Sequence, residues 1–180
     1  GSIKGFIDRI DDPIDRIFFA DGTEGIGNLN SATVYGVSAN LTWVMASVGL
    51  KGLRLRASGE VSDSRIEDPL TGEKRAVSST RLWDYEIELR YDIPNSPFAL
   101  EAEIEQVRRS ALFRGDNIFD TRFRRPESKI SLTHKDLFGL QWTVGLQNLF
   151  DFSVSRERQA FSPNRTGTLT RRELYDRQRG

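Results

Sequence analysis

The residues best placed for chemistry are Glu86, Glu88, Glu101, Glu103 and Glu105, which alternate along two segments joined by Pro94-Asn95-Ser96-Pro97. If that tight turn sets the register, Arg90 faces Glu101, Glu88 faces Glu103 and Glu86 faces Glu105. Closely paired carboxylates can share a proton and do acid–base work. Otherwise like charges placed opposite each other are unfavourable and call for compensating cations. Arg54 and Arg56, on the preceding segment, are the natural partners. Nothing near these carboxylates supplies a nucleophile, an oxyanion hole or a leaving-group donor, so the expectation is a protein that is not an enzyme.

The remaining chemistry is sparse. The chain has 180 residues, no cysteine and one histidine, His134. Thiolate and histidine metal sites are therefore not expected, and neither is a histidine-based catalytic apparatus. Ala20-Asp21-Gly22-Thr23-Glu24 lacks the carboxylate spacing of a calcium loop. Gly25-Ile26-Gly27 has no strand before it and no helix after it to hold a phosphate. No cofactor is expected. Lys+Arg and Asp+Glu are both 26, so no basic excess points to nucleic acid. No apolar run approaches the ~20 residues of a membrane helix.

The elements that must position the carboxylates are strands, because the dominant hydrophobic period is two. Thr33–Val44, Leu53–Asp63, Trp83–Ile93, Phe98–Val107, Ser128–Lys135 and Leu140–Phe150 each alternate apolar with polar residues. A shorter strand at Ile3–Ile10 and a truncated one at Thr168–Gln178 flank them. The expectation is an all-β, antiparallel up-and-down meander of about seven or eight strands. Connections alternate in length. Val44–Gly52, Pro94–Pro97 and Asp136–Gly139 are short or moderate, whereas 11–31, 64–82, 110–127 and 151–167 are long and polar. Short turns at one end and long loops at the other are a property of outer-membrane barrels.

Alternation alone does not say which face meets water. A soluble sandwich turns its apolar face inward, and a membrane barrel turns it outward to lipid. The aromatic residues favour the second arrangement. Tyr35 and Trp43, Trp83 and Tyr91, and Trp142 and Phe150 each lie eight residues apart on one face. Eight residues span about 26 Å, or about 20 Å of height when the strand is tilted, close to the ~25 Å apolar band between aromatic girdles. Trp43, Tyr91, Phe98 and Trp142 sit beside the short turns, and Tyr35, Trp83 and Phe150 beside the long loops. Asn148 interrupts the lipid-facing parity. In this reading Arg54, Arg56, Asp84, Glu86, Glu88, Arg90, Glu101, Glu103 and Glu105 face the lumen. Arg122, Arg124, Arg125, Arg156, Arg158, Arg171, Arg172, Arg177 and Arg179 lie in or beside the long loops, available to an anionic ligand, to lipid phosphate or to solvent. His134 is expected at the interface.

Val144-Gly145-Leu146-Gln147-Asn148-Leu149-Phe150-Asp151 resembles the penultimate strand of TonB-dependent outer-membrane receptors, which typically ends Asn-Leu-Phe-Asp. Gly27-Asn28 followed by Ala32-Thr33-Val34-Tyr35-Gly36-Val37 is similar to another strand of that family, and Ile3-Lys4-Gly5-Phe6-Ile7 to an earlier one. Ser38 stands where the family often has an acidic residue. The resemblance covers nearly the whole chain and matches the C-terminal third of such a barrel. It implies that residues 1–180 are a partial transmembrane β-barrel, an open segment without the plug domain and without the final strand. It also implies a place in the outer membrane of a Gram-negative type of cell. The implied activity is TonB-energised uptake of a scarce nutrient such as an iron–siderophore complex. The implied partners are the lipid bilayer, a TonB-type energy-coupling protein reached through the absent plug, and the small-molecule nutrient. The alternative is a soluble or small-barrel β binding module without transport activity. An open sheet with edges at residues 3–10 and 168–178, and outward-pointing aromatics exposed on it, is the geometry expected of the first reading.

Overall fold

Seven strands of a single antiparallel sheet carry the alternating segments. The computed structural model describes residues 1–19, 23–123 and 125–178, so Ala20–Gly22 of the dismissed calcium reading, Arg124 and Arg179 lie outside the described residues. In chain order the strands are β1 (Ser2–Asp11), β2 (Ile14–Phe18), β3 (Glu24–Asn28), β4 (Ser31–Val44), β5 (Leu53–Glu67), β6 (Lys74–Arg75), β7 (Arg81–Asp92), β8 (Phe98–Arg109), β9 (Leu112–Phe113), β10 (Asn117–Phe123), β11 (Glu127–Leu137), β12 (Leu140–Gln147), β13 (Ser153–Ser162) and β14 (Thr168–Gln178). Among the described residues there is no α-helix. The main sheet runs β1-β4-β5-β7-β8-β11-β12, with β6 extending the far end of β5. Every pairing is antiparallel, and the sheet does not close on itself.

The short connections gather at one end of this sheet. Pro94–Pro97 closes with the Ile93 N–H donating to the Phe98 carbonyl at 3.1 Å, and Asn95 takes a positive φ of 57°. At Asp136–Gly139 the Gly139 N–H donates to Asp136 Oδ1 at 2.9 Å. Gly52, at φ 84°, ends the third connection, and a Cβ there would stand 2.0 Å from the Asp92 carbonyl oxygen. Only glycine fits that position.

The long connections are not open loops. Between residues 11 and 31, β2 and β3 pair antiparallel, Ile14 opposite Asn28 and Phe18 opposite Glu24, and 110–127 contain β9 and β10. Residues 151–167 are largely β13, which pairs with β10 and β14 in a second sheet of order β14-β13-β10-β9. The expected second edge at 168–178 is therefore corrected: the main sheet ends at β1 and β12, and β14 edges the smaller sheet. The expected strand Leu140–Phe150 is shortened too, because β12 stops at Gln147. Asn148 and Asp151 both adopt the left-handed region, at φ 60° and 54°. Asn is among the few non-glycine residues that tolerate this conformation. The Asn148 side chain accepts a hydrogen bond from the Phe152 N–H, which locks the turn and diverts β13 from the sheet.

The apolar face of the main sheet is exposed, with Ile7 and Val144 at 75% and Leu146 at 65%. The opposite face is unevenly covered, with Ser64 at 2% and Ser131 at 5% exposed, but Thr42, Glu86, Glu105 and Thr143 exposed. Leu29, Ala32, Ile66, Ala99 and Phe152 are the buried apolar residues among those described. Three of them, Leu29, Ala32 and Ile66, pack with Ile17 and Val77 where the β2–β3 hairpin meets the loop end of the sheet. This cluster is far too small to bury the apolar face.

Charge does the rest of the work of joining the connections. Asp68, just beyond β5, receives Arg75 from β6 and Arg165 from the turn between β13 and β14, the latter at 2.7 Å. Arg75 also reaches Asp15 of β2 at 2.9 Å. All four side chains are at most 7% exposed. Arg75 and Arg165 both lie over the Phe113 ring, at 4.6 and 5.5 Å from its centroid. Glu24 of β3 adds Arg16 at 3.0 Å and the Gly115 N–H at 3.0 Å. Burial alone would raise the Asp68 carboxyl. Hydrogen bonds from Arg75, Arg165 and the N–H groups of Thr71 and Leu70 outweigh it and hold the group at about 2, against an ordinary 3.8.

This hub generates a prediction. Asp68→Asn leaves two buried guanidinium groups short of a partner, at a local cost of about 3–5 kcal/mol. Hydrogen exchange should accelerate across β2, β3, β9 and β10 while β7 and β8 stay protected. Acid should act likewise. With its folded value depressed, Asp68 contributes its stabilisation fully above about pH 4, and loses about 2 kcal/mol as the pH falls towards 2. Unchanged exchange in the hairpin segments would remove the hub from this role.

Candidate functional site

The register of β7 and β8 is the one the Pro94–Pro97 turn implies. Arg90 pairs with Glu101, Glu88 with Glu103 and Glu86 with Glu105. Across the other edge of β7, Arg54 lies opposite Arg90, Arg56 opposite Glu88, Ser58 opposite Glu86 and Glu60 opposite Asp84. Beyond β8, Lys129 faces Glu103 and Glu127 faces Glu105. The structure therefore brings all nine residues of the expected charged cluster onto one face of three adjacent strands.

The two ends of this ladder differ electrostatically. Near the short turns the charges are matched. Glu88 accepts Arg56 at 3.2 Å and lies 3.8 Å from Arg54. Arg90 bridges Glu101 at 3.1 Å and Asp92 at 3.3 Å, and Lys135 reaches Asp92 at 2.8 Å. Nearer the loops, Glu86, Glu105 and Glu127 form one row across three strands. None of the three has an ion-pair partner among the described residues. Carboxylates in such a row have Cβ atoms only about 4.5–5.5 Å apart, so they repel. Sequence reasoning placed Glu86 and Glu105 but not Glu127, because the β8–β11 connection is long and fixes no register. Asp84 pairs with Arg81 at 3.2 Å.

The unpaired row opens into a cleft of about 900 Å³ beneath the small sheet. Asp84, Glu86, Glu105 and Glu127 line one wall. One face of the β10-β13-β14 sheet forms the other. The register of that sheet puts Phe119 beside Arg158, Phe123 beside Val154, and Arg156 beside Tyr175. Arg156, Arg158 and Arg177 all line the cleft. Arg158 is held by Asn117 Oδ1 at 2.7 Å and lies over the Phe119 ring. These loop arginines are thus part of a folded wall. Of the other expected loop arginines, Arg122 pairs with Asp120 at 2.9 Å, Arg172 with Glu157 at 2.8 Å and Arg171 with Glu173, and Arg125 donates to the Phe150 carbonyl at 2.9 Å.

The aromatic residues occupy the opposite, apolar face. Trp43, Tyr91, Phe98 and Trp142 stand at its short-turn end and are 36–53% exposed. His134 packs edge-on against Phe98 at 4.8 Å, on the same face. Following hydrogen-bonded neighbours from β4 to β12, these positions slip by four residues over five strand steps. With ~3.3 Å per residue and ~4.8 Å between strands, strands tilted by roughly 30° produce such a slip along a line of constant height. Tyr35 and Trp83 lie on the same face near the loops and slip in parallel with Trp43 and Tyr91. They are less exposed than expected. The Tyr35 hydroxyl donates to Asp63 at 2.9 Å beneath the Arg65 guanidinium, and Trp83 stacks on Tyr85. Phe150 is corrected: it is half exposed, but it sits in the turn after β12 rather than on the strand.

No metal-binding group of three or more acidic or histidine side chains occurs among the described residues. Comparison of the chain with protein-family models, curated proteins and solved structures finds no match in any of the three.

The carboxylate row makes a stability prediction. Glu105→Gln removes repulsion from both neighbours and should raise the denaturation midpoint by the equivalent of about 0.2–1 kcal/mol. Glu88→Gln, which strands Arg54 and Arg56, should lower it. A Glu105→Gln variant no more stable than the parent would mean that the row is already neutralised.

Proposed function

We propose that this chain is part of the wall of an outer-membrane β-barrel of the TonB-dependent receptor type, serving uptake of a small-molecule nutrient. The observation that carries the reading is the main sheet's apolar face, which stays exposed along β1, β4, β11 and β12 instead of being buried in a core. Lipid is the solvent that suits such a surface. The exposed aromatics at one end, the short turns beside them and the folded connections at the other end support the same orientation, with the connections outside the cell. The Asn148-Leu149-Phe150-Asp151 segment supports the particular family, and with it a TonB-type energy-coupling protein and ligands such as ferric siderophores as partners. The ladder of charges would then line the lumen. A soluble β binding module is the weaker reading, because a soluble sheet of this size needs a core, and among the described residues the buried apolar side chains are Leu29, Ala32, Ile66, Ala99 and Phe152.

The three tryptophans allow a direct test. Single-tryptophan variants of the protein reconstituted in bilayers should place Trp43 and Trp142 at one depth near one interface, and Trp83 nearer the other, read by quenching from lipids brominated at different positions. Val144→Arg should weaken insertion by about 2–4 kcal/mol if it lies near the midplane. Quenching of none of the tryptophans, together with a folded monomer in plain buffer, would overturn the membrane reading in favour of the soluble module.

A further inference from the structure

We propose that the apolar face of the main sheet carries a site for one anionic phospholipid, in a groove near the short turns where an acyl chain lies on the sheet and the phosphate meets Lys51. The groove encloses about 520 Å³ and is lined by the Gly49-Leu50-Lys51 connection and by apolar side chains of β5, β7, β8 and β11. Its floor follows from the register. Leu89, Ala102 and Ile130 stand in one row across β7, β8 and β11, and Leu53, Tyr91 and Leu100 in the next row towards the short turns. Ala102 has larger neighbours on both adjacent strands, and Leu100 and Ile104 follow it on the same face of its own strand. Its methyl group is therefore a gap among branched side chains, and the position is exposed. Charge enters this groove through Lys51, which is exposed and has no ion-pair partner among the described residues. Glu101 also borders the groove, but its carboxylate belongs to the opposite face, where Arg90 bridges it at 3.1 Å. Tyr91, with Trp43, Phe98 and Trp142, marks this end of the face as the level of an aromatic girdle, where headgroups begin. A lysine there lays its apolar stem along the groove and offers its ammonium to a phosphate as a point charge. An occupant with a long apolar chain and an anion at one end matches both features. A second copy docking through the same patch would bring another Lys51 in place of the anion.

The inference rests on the proposed membrane location. The test is native mass spectrometry of the full protein released from nanodiscs made of equal parts phosphatidylglycerol and phosphatidylcholine with matched acyl chains. One phosphatidylglycerol should stay bound, retained about fivefold over phosphatidylcholine, the discrimination that one interfacial lysine supplies. Lys51→Gln should bring that ratio to about one while a lipid is still retained. Ala102→Leu fills the gap at an exposed position, where the added bulk meets lipid instead of a packed core, and should cut retention of both lipids by about fivefold. Neither variant touches the charge ladder, and entry into nanodiscs reports that each has folded. Equal retention of the two lipids by the parent protein, or a preference that survives Lys51→Gln, overturns the site and leaves the barrel wall standing. So does a dimer that Ala102→Leu dissociates, which would make the groove a contact between copies. A protein that does not enter nanodiscs overturns the barrel wall and the site together.

Discussion

A sheet that exposes its aliphatic face forgoes the apolar burial that normally drives folding in water, and the other features of this chain answer to that constraint. Burial of apolar area normally supplies the largest favourable contribution to folding. Here Ile3, Val37, Val61 and Leu146 are each more than half exposed. Strand-to-strand hydrogen bonds hold the main sheet together, but in water they yield little net free energy. In hydrocarbon the balance changes, since an unpaired N–H or C=O costs several kcal/mol. The proposed membrane location thus turns the weakest part of the fold into its strongest. It also makes the open edges at β1 and β12 unsatisfied positions that further strands would have to meet.

In the proposed orientation the loop end lies outside the bilayer and cannot draw on that effect, and it is there that buried charge joins the connections. Desolvating four charged groups is costly, and the Asp15–Arg75–Asp68–Arg165 cluster offsets it by saturating nearly every carboxylate oxygen. Asp68 alone accepts from two guanidinium groups and two backbone N–H groups. Such clusters are poor sources of net stability but strict in geometry. They suit a region where four connections far apart in sequence must settle into one arrangement. Arg165 and Asp68 are separated by 97 positions, so the ion pair fixes a long-range contact that no local propensity encodes.

The parts of this fold that were legible in the sequence are those governed by period two and by a tight turn. Trp83–Asp92 and Phe98–Val107 announce both their faces and, through Pro94–Pro97, their register. The β13 strand was hidden because neither of its faces is apolar: Val154, Arg156 and Arg158 lie on one side, and Ser155, Glu157 and Gln159 on the other. A hydrophobic period cannot reveal a strand that is stabilised by cross-strand ion pairs such as Arg172 with Glu157. The β2–β3 hairpin was hidden by its length, five residues a strand, and by glycines at 25 and 27 that weaken any strand signal. Phe150 was misplaced because parity counting assumes a regular strand, and the left-handed Asn148 ends that regularity two residues earlier.

The charged face could be assigned by alternation, but its division into a neutral end and an unpaired end could not, because the division depends on which strand lies beside which. Lys129 and Glu127 occupy successive positions on the same face of β11, one opposite Glu103 and the other opposite Glu105. Had β11 slipped by two residues along β8, Lys129 would face Glu105 and repair the repulsion. The observed register instead places the two serines, Ser128 and Ser131, in buried positions and leaves the carboxylates exposed to the cleft. The same register that satisfies the backbone and packs the small side chains therefore creates the unpaired row. Like charges at this spacing lower stability, so the row is a local cost that the register of β11 on β8 imposes on the loop end of the charged face.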